Sequence, residues 1–421
     1  PWPLIEAAGF VQTAPNRARF RGGSHRHALK THAGEKHALI IGAGLAGTAA
    51  ASALAARGFT VDIFDEHPAP AEGASGNLAG VISPMLSKDD NLASRLSRAA
   101  FLYALQELRA RDGTAHPALW AACGLMQLAK DARDEALFAA IAQKGYPPDF
   151  CSVLSAHEIE ARFNITAPAS GVYFPKAGWV NPPSLCRSRL MQPGIRTHFN
   201  TPISAIEKSP QGWALKNDGT ALAQAPIVIL ANSYAASRLA QASHLHFKKV
   251  RGQVTHLADP ALPASDWVWQ RDGYLTPSVG GLRCLAATYD FDNDNPALSL
   301  QSHRDNLAKI PALFPGEKLD VDAHDLPGRV GFRGLTIDRL PLIGTLPDTE
   351  SPWPASPTLS TLPRLPGLFT LLGLGSRGIT WSALAGEILA SHINAEPLPI
   401  EQDLMDAIDP ARFLLRDSRK K

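Results

Sequence analysis

The sequence of 421 residues is poor in cysteine. Cys123, Cys151, Cys186 and Cys284 are all it holds, and no two form a CxxC pair. That spacing argues against a zinc site, a dithiol redox centre and a disulfide framework; reduced, buried thiols are the expectation. An apolar run long enough to span a bilayer is missing as well, so no membrane partner is expected. The start, "PWPLIEAAGF", lacks the basic head and apolar middle of a signal peptide, and it lacks an initiator Met. A cytoplasmic protein is expected, and a chain that is a piece of something longer or a processed product. Excess charge of one sign is lacking too: 41 Lys and Arg against 39 Asp and Glu leave a net charge of +2. Such a balance neither announces nor excludes a nucleic-acid partner, because a local basic patch does that work. Apolar content of 45% and charged content of 19% are those of an ordinary globular protein, of two or three domains or one large one.

What is present begins with a basic lead-in. Over residues 11–36, Arg17, Arg19, Arg21, Arg26, Lys30 and Lys36 face a single acid, Glu35. The stretch reads as an irregular arm or linker. His25, His27 and His32 within it have no acidic or cysteine ligands beside them, so no metal is expected. Beyond the arm, residues 91–144 carry helical spacing, 197–232 read as strands, and 246–290 alternate like antiparallel strands. Residues 299–315 read as helix again. A loop rich in Pro, Ser and Thr (345–366) leads to a buried strand, "GLFTLLGLG", and to a second alanine-rich helix at about 379–393. Strand–helix alternation at both ends with antiparallel strands between predicts an α/β chain, α+β overall. A Rossmann-type nucleotide-binding domain is interrupted in it by an antiparallel-sheet domain.

"HALIIGAGLAGTAAASALAARGFTVDIFDE" (37–66) carries the first chemistry. "ALII" is a buried parallel strand and "LAGTAAASALAARG" a helix that Gly58 can end. Gly42 permits a tight turn, Gly44 lets the backbone approach a pyrophosphate, and Gly47 lets helix and strand pack closely. The helix N-terminus then offers unpaired N–H groups to the phosphates. Asp65, about 20 residues after Gly44, or its neighbour Glu66, stands where a carboxylate binds ribose hydroxyls.

This motif does not by itself separate FAD from NAD. "GASGNLAGVISP" (73–84) sets Ser75 and Asn77 beside small residues that allow close approach to a flavin or its pyrophosphate. "LGLGSRGITWSALAGEILA" repeats the glycine turn and helix near the far end of the chain. It aims a second helix N-terminus at an anionic group, such as a reduced flavin ring. An NAD dehydrogenase has no need of that second turn.

With these residues laid out, the chain resembles the FAD-dependent D-amino-acid oxidase superfamily, whose FAD domain is glutathione-reductase-like and which includes glycine and sarcosine oxidases. The matching pieces are "IIGAGLAG", "GASGNLAG", "AGWVNPPSL", "IVILANSYAAS", "VRGQV", "GFRGLTIDRLPLIG" and "GSRGIT", over about residues 37–395. "EGASGNLAGVISPMLSK", "DGYLTP", "RGQVTHL", "LGSRG" and "DPARF" narrow it to one branch. That branch is the oxidase half of the bifunctional proteins that make 5-methylaminomethyl-2-thiouridine in tRNA. Residues 1–35 are similar to the last strand of the methyltransferase that precedes the oxidase in that family, and to the linker after it. The methyltransferase body, and with it the site for S-adenosylmethionine, appears in no part of this sequence.

The resemblance implies an organisation. Residues 1–36 are a methyltransferase tail and basic linker. Residues 37–110, 171–245 and 328–400 form a discontinuous FAD domain, 111–170 and 246–327 the substrate domain, and 401–421 a basic tail. It implies cofactor contacts at Gly42, Gly44, Leu45, Ala46, Gly47, Asp65, Glu66, Ala74, Ser75, Asn77, Ala231, Gly375, Ser376, Arg377, Gly378, Ile379 and Thr380. It also implies a reaction: FAD-dependent removal of the carboxymethyl group from 5-carboxymethylaminomethyl-(2-thio)uridine at the wobble position, giving the 5-aminomethyl nucleoside and glyoxylate. The reacting part is an N-substituted glycine, so an arginine should hold its carboxylate bidentately. Arg333 in "GFRGLTID" matches such a position; Arg377 in "GSRG" sits at the flavin-facing turn, for either the substrate or the flavin carbonyl; and Tyr274 in "DGYLTP" matches a substrate-side tyrosine that bonds the carboxylate or lines the pocket. Asp338 and Arg339 read as loop-holding residues. Some relatives bind FAD through a Cys near "GFRGLTID"; none follows Cys284, so the FAD is expected to be non-covalent. The expected partner is the anticodon region of tRNA; the basic arm and "RFLLRDSRKK" read equally as its electrostatic contacts or as solubilising tails. A free glycine, sarcosine or D-amino-acid oxidase is the alternative, followed by a flavin-bound RNA scaffold and an NAD dehydrogenase.

Overall fold

The computed structural model describes residues 10–14, 17–20, 35–259, 262, 265–316 and 319–418. Its first layer is a six-stranded sheet in the order Ile195–His198, Thr60–Phe64, His37–Ile41, Ile227–Leu230, Arg364–Leu372, Leu342–Pro347. The first five strands are parallel and the last is antiparallel. The inner strands His37–Ile41 and Ile227–Leu230 are apolar at nearly every position because both faces are covered, whereas the edge strand Ile195–His198 is mostly polar. Ala38 and Ile40 meet one core with Val61, Ile63 and the helices Leu45–Ala55 and Gly378–Ile393. Leu39 and Ile41, pointing the other way, meet Val228, Leu230 and Trp213 and Leu215 of a three-stranded meander at 205–225.

The alanine content of the two helices has a packing reason. At Gly386 an added Cβ would lie 2.7 Å from the Ala49 backbone, so the helices cross at near backbone contact. Beneath them Arg189, fully buried, holds Glu107 through two bonds of 2.9 and 2.7 Å and donates to Leu45 O and Ser382 Oγ. Arg111 adds two more bonds to Glu107, of 3.1 and 2.9 Å. These two arginines hold the Glu107 carboxyl down at about 2 against its burial.

The second layer is a nine-stranded, largely antiparallel sheet. Its long strand Lys248–Ala258 pairs on one edge with Gly328–Leu335 and on the other with Leu282–Ala286 and Asp290–Phe291. The sheet continues through Tyr274–Leu275, Val268–Gln270, Leu125–Leu128, Gly171–Phe174 and Ser152–Leu154.

Several expectations change here. Gly171–Phe174 and Gly328–Leu335, expected in the FAD domain, are strands of the larger sheet. The first packs Val172 and Phe174 with Leu125 and Phe138, and the second runs in an eight-residue register along Lys248–Thr255. Residues 401–418 are not a free tail. They form helices Gln402–Ile408 and Arg412–Ser418, with Leu404, Met405 and Ile408 buried against the nucleotide layer. Arg412, expected to meet tRNA or solvent, instead grips Asp338 with two bonds of 2.8 Å and donates to Leu340 O. Asp338 thereby holds its loop, as expected. The arm is not wholly irregular: Phe10–Ala14 and Arg17–Phe20 pair as antiparallel strands. Residues 21–34, including the three histidines, and Arg419–Lys421 lie outside the described residues.

Among the described residues, all four cysteines are free, and burial pushes the thiols of Cys123, Cys151 and Cys284 up to about 11. No described helix is long and apolar enough to cross a membrane, and no described cluster of three or more His, Cys, Asp or Glu could hold a metal ion.

Candidate active site

Four parallel strands deliver their C-terminal ends to one cavity of about 1000 Å³: Ile41, Phe64, Ala231 and Leu372 all line it. An open α/β sheet takes its ligands at that edge. The volume stands at the upper end of the range for small-molecule sites.

At the nucleotide end the backbone does the shaping. Gly42 has φ +104°, and a Cβ there would come within 2.8 Å of Ala231 O. Its N–H donates to Phe64 O at 2.7 Å, which ties the turn to the second strand. A Cβ on Gly47 would lie 1.8 Å from Gly42 O. Gly47 is the one expected cofactor residue that does not line the cavity; it sits behind the turn and lets the helix close on it. Ser75 Oγ accepts the Leu45 N–H at 3.1 Å, so "GASGN" folds onto the helix N-terminus. Asp65 is committed to the turn: one oxygen accepts the Ala43 N–H at 2.6 Å and the other the His67 N–H at 2.9 Å. Glu66 beside it is exposed and lines the cavity.

The second glycine turn arrives at the same place. Gly373 and Gly375 have φ +72° and +54°, and the helix Gly378–Ile393 starts directly after. A Cβ on Gly378 would lie 3.2 Å from the Leu45 side chain, so the two helix N-termini are neighbours. Thr380 Oγ1 donates to Ser83 O at 3.3 Å and pins that start.

At the opposite end the walls are side chains from the large sheet. Register places Arg333 across from Val250, and its guanidinium lies over Gly252, where a Cβ would be 2.6 Å from Nη2. The Arg333 guanidinium has no hydrogen bond and no ion pair among the described residues. Neither has the guanidinium of Arg377, which caps the second turn. Burial lowers the pKa of both. The Tyr274 hydroxyl donates to Ala79 O at a long 3.4 Å; burial raises its pKa, with Arg333 opposing. Arg333, Arg377 and Tyr274 all line the cavity.

Three residues escaped the sequence reading. Gly252 is the gap that admits Arg333; a glycine inside "VRGQV", in a strand, was its signal. Arg329 donates to Glu72 O and Gly73 O at 2.5 and 2.6 Å, and a Cβ on Gly76 would strike it at 2.2 Å. It clamps the "GASGN" loop from the other sheet, and nothing local marks it. Tyr289 stands at the rim with the Arg333 guanidinium 5.9 Å from its ring.

Two adjacent helix N-termini, a turn with no room for Cβ atoms and a wide cavity closed by two arginines fit a dinucleotide carrying a ring system. Comparison with known proteins agrees. Residues 37–392 match the family described as FAD dependent oxidoreductase. The tRNA 5-methylaminomethyl-2-thiouridine biosynthesis bifunctional protein of Aromatoleum aromaticum is 42% identical over 99% of this chain, and that of Azoarcus sp. 41%. The chain spans 67% of the length of each. Among solved structures, glycine oxidase from Geobacillus kaustophilus (TM-score 0.70, 22% identity, 89% of this chain and 98% of that one) is similar in fold. Iminodiacetate oxidase from Chelativorans sp. is similar too (TM-score 0.68, 23% identity, again 89% and 98%). Fold, site and sequence kinship converge: the chain belongs to the FAD-dependent oxidoreductase family.

Proposed function

We propose that this chain removes the carboxymethyl group from 5-carboxymethylaminomethyl-(2-thio)uridine at the wobble position of tRNA, releasing glyoxylate and leaving the 5-aminomethyl nucleoside. The observation that carries the reading is a pair of arginines whose guanidinium groups have no ion pair and no hydrogen bond among the described residues, Arg333 and Arg377. Both line a cavity shared with two glycine turns, in a chain 42% identical to a tRNA-modifying relative. Buried cations without anions are costly unless a ligand supplies the charge.

FAD supplies the two-electron acceptor when bound, and Gly42, Gly44, Leu45, Ala46, Asp65, Glu66, Ser75, Asn77 and the turn Gly375–Thr380 would hold it. The protein's part in the chemistry is placement. The fork of Arg333 holds the carboxylate at two oxygens, and the Tyr274 hydroxyl adds a donor beside it. The low-dielectric walls that lower the arginines' pKa also favour a neutral amine, so no general base is required. The C–H adjacent to nitrogen leaves as hydride and the N–H proton goes to solvent. Water then adds across the resulting imine, splitting it into glyoxylate and primary amine. None of the four cysteines lines the cavity, which supports non-covalent FAD: acid precipitation should leave the yellow colour in the supernatant. In the full-length protein a methyltransferase domain would take the product.

The test is mass spectrometry of wobble nucleosides from tRNA carrying the carboxymethylaminomethyl group, before and after incubation with the protein. Conversion to the 5-aminomethyl nucleoside with stoichiometric glyoxylate is expected. Turnover of free glycine or sarcosine with the tRNA untouched would overturn the reading in favour of an amino-acid oxidase.

A further inference from the structure

We infer that the rim aromatics Tyr289 and Phe291 form a stacking platform for unpaired RNA bases, those flanking the nucleotide that enters the cavity. The inference rests on the proposed tRNA substrate. Tyr289 is 39% exposed and Phe291 49%. Among residues whose side chains are described, they are the two aromatics in the set of exposed large hydrophobic residues, which otherwise holds Leu, Met and Ile. They are also neighbours, two residues apart and edge to face, with centroids 5.3 Å apart. Tyr289 lines the cavity, so the pair continues the cavity wall out to the surface. The strand Asp290–Phe291 pairs with Val250 and Arg251, which fixes the platform to the strand that also carries Gly252 beneath Arg333.

The charges around the pair indicate what lands there. Lys248 Nζ lies 5.9 Å from the Phe291 ring centroid, and Lys249 Nζ 4.3 Å from that of Phe332. Against them stand Asp294, 2.6 Å from Lys249 Nζ, Asp290, paired with buried Arg251, and exposed Asp292. The rim is thus close to charge balance. Stacking of unpaired bases draws on the aromatic faces themselves, and Lys248, beside the Phe291 ring, offers a cation to a flanking phosphate. A loop with splayed bases presents such faces.

The experiment measures oxidation of two substrates by the full chain loaded with FAD: the modified tRNA and the free carboxymethylaminomethyl nucleoside. Phe291→Ala is expected to raise KM for the tRNA about tenfold, the loss of one stacked base, while KM for the nucleoside moves less than about twofold. Phe291→Trp should restore the tRNA value. An unchanged tRNA KM in Phe291→Ala and in the double variant with Tyr289→Ala would overturn the platform while leaving the proposed reaction intact. Equal losses on both substrates would also overturn it, by marking a structural role. If wild type oxidises neither substrate, the functional reading itself has failed.

Discussion

The two ends of the cavity are built by different means. The nucleotide end is made of backbone: glycine turns, helix N-termini and the amide that Asp65 holds. Most of it comes from a segment of about thirty residues and from its counterpart at the far end of the chain, with the "GASGN" loop and Ala231 packed against them. The opposite end, where the proposed substrate would sit, is made of side chains, Arg333, Tyr274 and Tyr289, brought together by pairing among strands far apart in sequence. Local turn chemistry writes the first end plainly; the second exists only once the sheet has formed.

Substitutions can break or sharpen that contrast. The largest effect is expected at Gly47→Val, whose Cβ would stand 1.8 Å from a backbone oxygen. The turn has nowhere to move, so a loss of more than about 4 kcal/mol is expected, read as a collapse of thermal stability together with flavin content. Glu107→Gln comes next. It leaves Arg189 buried without its anion beneath both helix starts, at a cost of about 3–5 kcal/mol, measured by denaturant unfolding. The wild type carries a related pH signature. The folded-state pKa of Glu107 is depressed from 4.5 to about 2, so its contribution is fully present above pH 4.5 and is lost as pH falls toward 2. A thermal midpoint flat across that window would refute the pairing.

At the substrate end the expected signature differs in kind. Arg333→Ala should keep the fold and the flavin yet lower kcat/KM about 100-fold, the loss of two charge-assisted bonds. Loss of flavin along with activity would show that the two ends are not separable. The smallest change is Arg329→Ala, which frees the "GASGN" loop from the other sheet. About a tenfold weaker affinity for FAD is expected, at the scale of one or two hydrogen bonds to backbone oxygens, measured by titrating the apoprotein.

Legibility in the sequence followed the same line. The strand–turn–helix at 37–55, the second turn at 373–378 and the antiparallel character of 246–290 were readable because each is a local pattern of period and turn residue. Gly171–Phe174 and Gly328–Leu335 were assigned to the wrong layer because a short strand does not declare its partner. The basic tail misled for a similar reason. Arg412 looks solvated in sequence, and only the return of the chain past Asp338 gives it a carboxylate. The glycine in "VRGQV" and the clamp of Arg329 on Glu72 and Gly73 needed the two sheets face to face.

By itself the sequence determined the nucleotide-binding layer and the kind of cofactor it suits, because glycine spacing and helix starts act over a few residues. Only the tertiary structure decided which side chains close the cavity. Arg333 reaches its place through an eight-residue register with Lys248–Thr255, and a strand register is settled by packing across the whole sheet.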